Sequence, residues 1–238
     1  ISTGGDGAKL WDLQAKTQSI VPPAQVVDRK SLAVAWAPDN RRLVFADTNH
    51  DLVVWDIHLG AEVARLAGRQ SWVHAVAWSP DGGRLVTAAP VLKMWDAETL
   101  KLLEEQPSDG SSSAVIVWSP DGNLIATVGG YKLRVWDGQL RNATVLGKVW
   151  SHASTSSTWS PDSKYLATST HLDYIIKIWS VGTPKDGGAA LGDPTKILRG
   201  HTNSVWNGSW NAKGDRIVSA SDDGSAKVWD PVTGKPTI

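Results

Sequence analysis

The chain has no cysteine, one methionine, one phenylalanine and three tyrosines in 238 residues. Without cysteine there is no disulfide framework and no thiolate to act as nucleophile or metal ligand. Its 24 basic and 24 acidic residues cancel to a formal net charge of zero. The bulk charge that draws a protein to nucleic acid or to an anionic membrane is therefore missing, and neither is an expected partner. No apolar run approaches the ~20 residues of a membrane-crossing helix. Glutamate is scarce, at 4 against 20 aspartates. Aspartate bonds back to its own chain in turns, so this imbalance predicts many turns and few helices.

Catalytic motifs are missing as well. There is no Gly-x-Ser-x-Gly elbow and no His-Glu-x-x-His. Gly147-Lys148 is followed by Val149 and Gly234-Lys235 by Pro236, so neither completes a phosphate loop. His50, His58, His74, His152, His171 and His201 are scattered without metal-ligand spacing. Glu104 and Glu105 are adjacent, and on a strand they would point to opposite faces. The expectation is no enzyme, no cofactor and no metal.

What the chain has in plenty is tryptophan, 14 of them, in two series. One series is Trp11, Trp55, Trp95, Trp136, Trp179 and Trp229, followed by Asp in every case but Trp179, which precedes Ser180. The other is Trp36, Trp78, Trp118, Trp159 and Trp210. Four of these open a turn phrase: Ala37-Pro38-Asp39-Asn40, Ser79-Pro80-Asp81-Gly82, Ser119-Pro120-Asp121-Gly122 and Ser160-Pro161-Asp162-Ser163. Asn211-Ala212-Lys213-Gly214 is a worn version after Trp210. Pro presets φ, Asp bonds back, and Gly accepts φ > 0, so each phrase is a hairpin turn. A period of roughly 40–50 residues means stacked supersecondary units. Leu52-Val53-Val54-Trp55, Val115-Ile116-Val117-Trp118 and Ile175-Ile176-Lys177-Ile178-Trp179 are apolar on both parities, which predicts small sheets covered on both sides. Two residues before the second Trp sits a base, at Lys9, Lys93, Arg134, Lys177 and Lys227, expected to lay its stem on a neighbouring sheet with the charge at the rim.

With these residues the chain resembles the WD-repeat β-propeller family along nearly its whole length. The resemblance implies an all-β fold of four-stranded antiparallel blades, strands a to d from the inside out. Six blades are represented, at about 1–26 (incomplete), 27–68, 69–108, 109–148, 149–200 and 201–238, in a single domain. The opening segment Ile1 to Asp12 aligns with Ile217 to Asp230, so it enters in strand b, and Lys235 to Ile238 only begins a strand d. The expectation is a part of a propeller of seven or more blades, its start trimmed; a closed six-bladed ring is the other reading. Its own missing strands, or another copy of the chain, would then be partners.

By the same resemblance His201, a strand-b serine (Ser219 or Ser221), Asp223 and Trp229 would form the buried hydrogen-bonded tetrad of the last blade. The position of His201 is taken by Val27, Arg69, Asp109 and Trp150 in the four preceding repeats, so the middle blades are expected to rest on apolar packing. The family docks partners on the face made by the d–a and b–c loops. That face would hold Arg29, Lys30, Arg69, Gln70, Trp72, His152, Leu172, Ser204 and Asp222. Arg and aromatic residues are the usual hot-spot types. Trp72, Trp150 and Trp206 fall outside both Trp series; Trp150 is expected to fill the gap left by a lost tetrad and Trp206 to pack on its own strand. The Gly-, Pro- and Asp-rich stretch 181–194 reads as a flexible c–d loop. The implied function is a non-catalytic, cytoplasmic scaffold for a protein or peptide partner. A small-ligand or glycan binder using exposed Trp rings is the alternative, and it would require one such ring per blade.

Overall fold

A computed structural model describes residues 2–4, 7–12, 16–20, 33–47, 49, 51–66, 73–107, 115–129, 132–148, 154–170, 172–182 and 193–237. These form two compact units, Ile1–Pro107 and Ser108–Ile238. Each is built only of antiparallel sheets, joined in sequence order.

The first unit holds three sheets. Sheet one is β1 (Ser2–Gly4), β2 (Gly7–Asp12) and β3 (Thr17–Ile20). Sheet two is β4 (Val34–Trp36), β5 (Arg42–Ala46), β6 (Leu52–Asp56) and β7 (Ala61–Leu66). Sheet three is β8 (Ala75–Trp78), β9 (Arg84–Ala88), β10 (Val91–Asp96) and β11 (Leu102–Pro107). The second unit continues the pattern. Sheet four is β12 (Val115–Trp118), β13 (Leu124–Gly129), β14 (Lys132–Asp137) and β15 (Ala143–Lys148). Sheet five is β16 (Ser154–Trp159), β17 (Tyr165–Thr170), β18 (Ile176–Ser180) and β19 (Lys196–Leu198). Sheet six is β20 (Val205–Trp210), β21 (Ile217–Ser221) and β22 (Ala226–Trp229), with one further bridge from Trp229 to Pro236. These are the all-β blades that the resemblance implies, and no described residue is helical.

Aspartate makes both kinds of hairpin. In the a–b turns the Ser79, Ser119 and Ser160 hydroxyls donate to Asp81, Asp121 and Asp162 at 2.5, 2.5 and 2.6 Å. The Asp81 carboxylate also accepts the amide of Gly83. In the worn turn Asn211 takes over, its side-chain oxygen accepting the amides of Asp215 and Arg216 at 3.1 Å each. All five turns pass through the left-handed region: Gly82 at φ 72°, Gly122 at 72° and Gly214 at 73°, but also Asn40 at 55° and Ser163 at 60°. In the c–d turns the Asp that follows Trp does the same work. Asp96 accepts the amides of Glu98 and Thr99, Asp137 those of Gln139 and Arg141, and Asp230 those of Val232 and Thr233. The Trp-Asp pairing thus joins a core ring to a turn-forming carboxylate. Where Ser180 replaces that Asp, the tight turn gives way to the long insertion.

Within each unit the sheets stack through the same residues. Val44, Ala46, Val54, Val76, Trp78 and Leu85 form one core of the first unit, with the Arg42 guanidinium 5.1 Å from the Trp78 ring. In the second, the Trp159 indole N–H donates across to the Val117 carbonyl at 3.2 Å. The Trp179 ring lies so close over Gly147 that a Cβ there would stand 2.4 Å from it. Only glycine leaves room for that ring. Strand b is buried on both parities in sheets two to five. Of the apolar runs, 52–55 and 175–179 are covered on both parities as expected, whereas Val115–Trp118 alternates between half-buried and buried. In sheet six β21 alternates instead: Ile217 and Ser219 are covered, while Val218 and Ala220 are exposed.

Candidate functional site

The feature with the look of chemistry lies in sheet six. The order of groups begins with Asp223, whose Oδ1 accepts the Ser225 hydroxyl at 2.6 Å and the Ser225 amide at 2.9 Å. Its Oδ2 accepts the Thr202 amide at 3.1 Å and stands 2.7 Å from Nδ1 of His201. Nε2 of His201 is 2.8 Å from Oγ of Ser219, and Nε1–H of Trp229 donates to that same oxygen at 2.8 Å. A carboxylate only accepts, so Nδ1 carries the proton. Nε2 is then an acceptor for the Ser219 hydroxyl, and the indole N–H, which only donates, fills a lone pair of that hydroxyl. Every donor has an acceptor, in the order Trp229, Ser219, His201, Asp223.

The last three of these groups have the order of a serine hydrolase relay. Access and freedom of the hydroxyl decide what they can do. His201 is 7%, Ser219 2% and Trp229 1% exposed. The Ser219 oxygen is engaged by two partners, and the Trp229 ring packs edge-on to His201 with centroids 5.7 Å apart. A nucleophile must reach an acyl carbon, and here a tryptophan stands in the approach. The arrangement ties strand b, strand c and the loop before strand a together. Hydrogen bonds, that of Ser225 first and then that of His201, hold the Asp223 carboxyl well below the usual carboxylate range against the effect of burial. Ser221, the other candidate, instead donates to the Asn203 carbonyl at 3.1 Å and accepts the Asp223 amide at 3.1 Å.

The middle sheets depart from the expectation of purely apolar support. The indole N–H of Trp95 donates to Thr87 at 3.1 Å, that of Trp136 to Thr127 at 2.9 Å and that of Trp179 to Thr168 at 3.0 Å. The half of the network between strands b and c survives without histidine. Its signal is in the register: each hydroxyl lies opposite the recurrent base, as Thr87 and Lys93, Thr127 and Arg134, Thr168 and Lys177, Ser219 and Lys227. Sheet two lacks both, pairing Phe45 with Val53. There the buried Asp47 is held instead by Arg65 of β7, which also contacts Asp51 and Glu62. Lys177 departs from the rim placement expected of the bases: its side chain is 9% exposed, 3.4 Å from Asp173.

Of the loop residues expected to meet a partner, Leu172 is 62% exposed and Asp222 is exposed, at the b–c ends of sheets five and six. Ser204 is buried, and its amide donates to Asn203. Trp206 was expected to pack on its strand but is 49% exposed, beside the irregularity where β20 shifts register. Arg29, Lys30, Arg69, Gln70, Trp72 and His152 lie outside the described residues, as does Trp150. Among the described residues no cluster of His, Asp and Glu could hold a metal ion, and no helix is long and apolar enough to cross a membrane.

The model of the WD domain, G-beta repeat, matches residues 60–96 and 192–230, and that of eukaryotic translation initiation factor eIF2A matches residues 92–183. Autophagy-related protein 16 of Arabidopsis thaliana is 24% identical over 95% of this chain and 52% of its own length. The WD repeat-containing protein WDS homolog of the same plant is 29% identical over 96% of this chain and 43% of its own length. The COMPASS component SWD3 of Saccharomyces cerevisiae is 30% identical over 49% of this chain and 34% of its own length. The chain thus spans about half or less of these relatives.

Proposed function

The chain carries WD repeats, and from that premise we propose that it is a non-catalytic interaction scaffold, offering the loop end of its blades to a protein or peptide partner. The observation that carries this reading is the closure of the His201–Ser219 pair. The group of residues most like a catalytic relay is spent on holding a sheet together, walled by Trp229. Loops carried at the ends of packed sheets suit recognition. A relative whose name makes it a component of COMPASS is in keeping with such a role. Within the second unit the docking residues are Leu172 and Asp222; Arg29, Lys30, Arg69, Gln70, Trp72 and His152, which the resemblance assigns to the docking face, lie outside the described residues. Among the described residues the exposed Trp206 is a single ring and not one per blade, so it gives the glycan reading no support.

The test uses peptides selected for binding to the folded chain from a random display library. Leu172→Asp and Asp222→Lys are each expected to weaken the selected peptides at least tenfold. Selected peptides indifferent to both would contradict the choice of face.

A further inference from the structure

The opposite end of the blades, where the a–b and c–d turns lie, holds a cleft of about 380 Å³ between sheets five and six. A volume in that range accommodates one or two side chains of a ligand. Its floor is apolar, from Ile178 of β18 and Trp210 of β20. Its walls carry two large apolar groups left in water, Tyr165 at 39% and Val232 at 79% exposure. The indole N–H of Trp210 is buried without a partner, as are those of Trp78 and Trp118 in their own sheets. Its counterpart one sheet earlier, on Trp159, has the Val117 carbonyl.

Charge at the cleft is one-sided. The Asp162 carboxylate is already engaged by its own turn, accepting the Ser160 hydroxyl at 2.6 Å and lying 4.0 Å from the Lys164 ammonium. Lys196 and Lys213 also line the cleft, and among the described residues neither has an ion-pair partner. The Lys196 stem is fixed against the turn at Gly234, where a Cβ would come within 3.1 Å of it. Two unpaired ammonium groups beside an apolar floor match a ligand with carboxylates next to apolar side chains. We propose that this cleft docks an extended acidic peptide segment of a protein partner, its carboxylates on Lys196 and Lys213 and an apolar side chain against Trp210 and Val232. This site is separate from the loop end and would stand if that assignment fell.

Titration calorimetry of the whole chain with a capped hexapeptide of alternating glutamate and valine tests it. The expected result is saturable one-to-one binding, weakened at least tenfold when glutamine replaces glutamate in the peptide. The double variant Lys196→Glu, Lys213→Glu and the exposed-site variant Val232→Asp are each expected to weaken it at least tenfold. Lys101→Glu, which inverts one charge in the other unit, should change it less than twofold. No saturable binding, binding undiminished in the double variant, or an equal loss with Lys101→Glu would overturn the proposal. So would a concentration-dependent dimer of the chain, seen in sedimentation and dissolved by the double variant, since the occupant would then be a second copy.

Discussion

Replacing Ser219 with alanine is expected to destabilise sheet six by about 2–6 kcal/mol, because it strands two buried groups, each costing about 1–3 kcal/mol. Those groups are the Trp229 indole N–H and Nε2 of His201, each 2.8 Å from the hydroxyl that is lost. Thr87→Ala in sheet three should cost less. It strands only the indole N–H of Trp95, on a residue that is not fully buried. Stacked units open piecewise, so a single melting temperature would blur the contrast. Amide exchange read strand by strand resolves it. The loss of protection should centre on β20 to β22 for Ser219→Ala and on β8 to β11 for Thr87→Ala. An equal, small effect of both variants would mean that the histidine arm adds nothing.

Acid should unfold this chain at a milder pH than its neutral charge balance alone suggests. Asp96 and Asp230 are held below the usual carboxylate range chiefly by the amides of Thr99 and Thr233, and Asp81 and Asp162 by the hydroxyls of Ser79 and Ser160. In Asp39, Asp56 and Asp121 burial pushes upward, and hydrogen bonds outweigh it. Asp223 is lowered furthest, by the Ser225 hydroxyl first. A carboxyl whose folded value lies below its unfolded one stabilises the fold fully above the unfolded value, 3.8 here, and loses that stabilisation as pH falls towards the folded value. The urea midpoint should therefore be level between about pH 7 and 5 and fall steeply below about pH 4. Protonation of the 24 acids also leaves 24 Lys and Arg with 6 His uncompensated, and their repulsion acts in the same direction. Several of these aspartates are exposed, so no one of them dominates. A midpoint unchanged down to pH 3 would show that the turn carboxylates are not tied as described.

Much of this was legible in the residues because each repeat carries its own punctuation. Ser-Pro-Asp-Gly names one hairpin and Trp-Asp the other, and both act within four or five residues, so local chemistry suffices to read them. The network of sheet six was legible only through the resemblance to the WD-repeat family, whose spacing from Asp223 to Trp229 this repeat keeps, and the resemblance left Ser219 and Ser221 open. The link from Trp to threonine in sheets three to five was harder to see. It joins strands whose register only the fold reveals, although the alternation of Thr127 with Val128 and Arg134 with Val135 held the clue. Lys177 lies inside and not at the rim, and its partner Asp173 sits on a turn, out of reach of any strand periodicity. The exposed Trp206 follows from a register shift in β20, and nothing in the residues around it announces that shift. The cleft at Lys196 and Lys213 belongs to two repeats at once, so no single repeat could display it.

The central claim is that the Asp223–His201–Ser219 series is a structural tie in an interaction scaffold, closed to substrate. A fluorophosphonate, which reacts with serine hydroxyls activated by a neighbouring base, tests this most directly when incubated with the folded chain and followed by peptide mass spectrometry. The expected result is an unmodified Ser219 under conditions that fully label a serine hydrolase in the same tube. An adduct on Ser219 in the folded chain would contradict both the closure of the site and the reading of this chain as a scaffold.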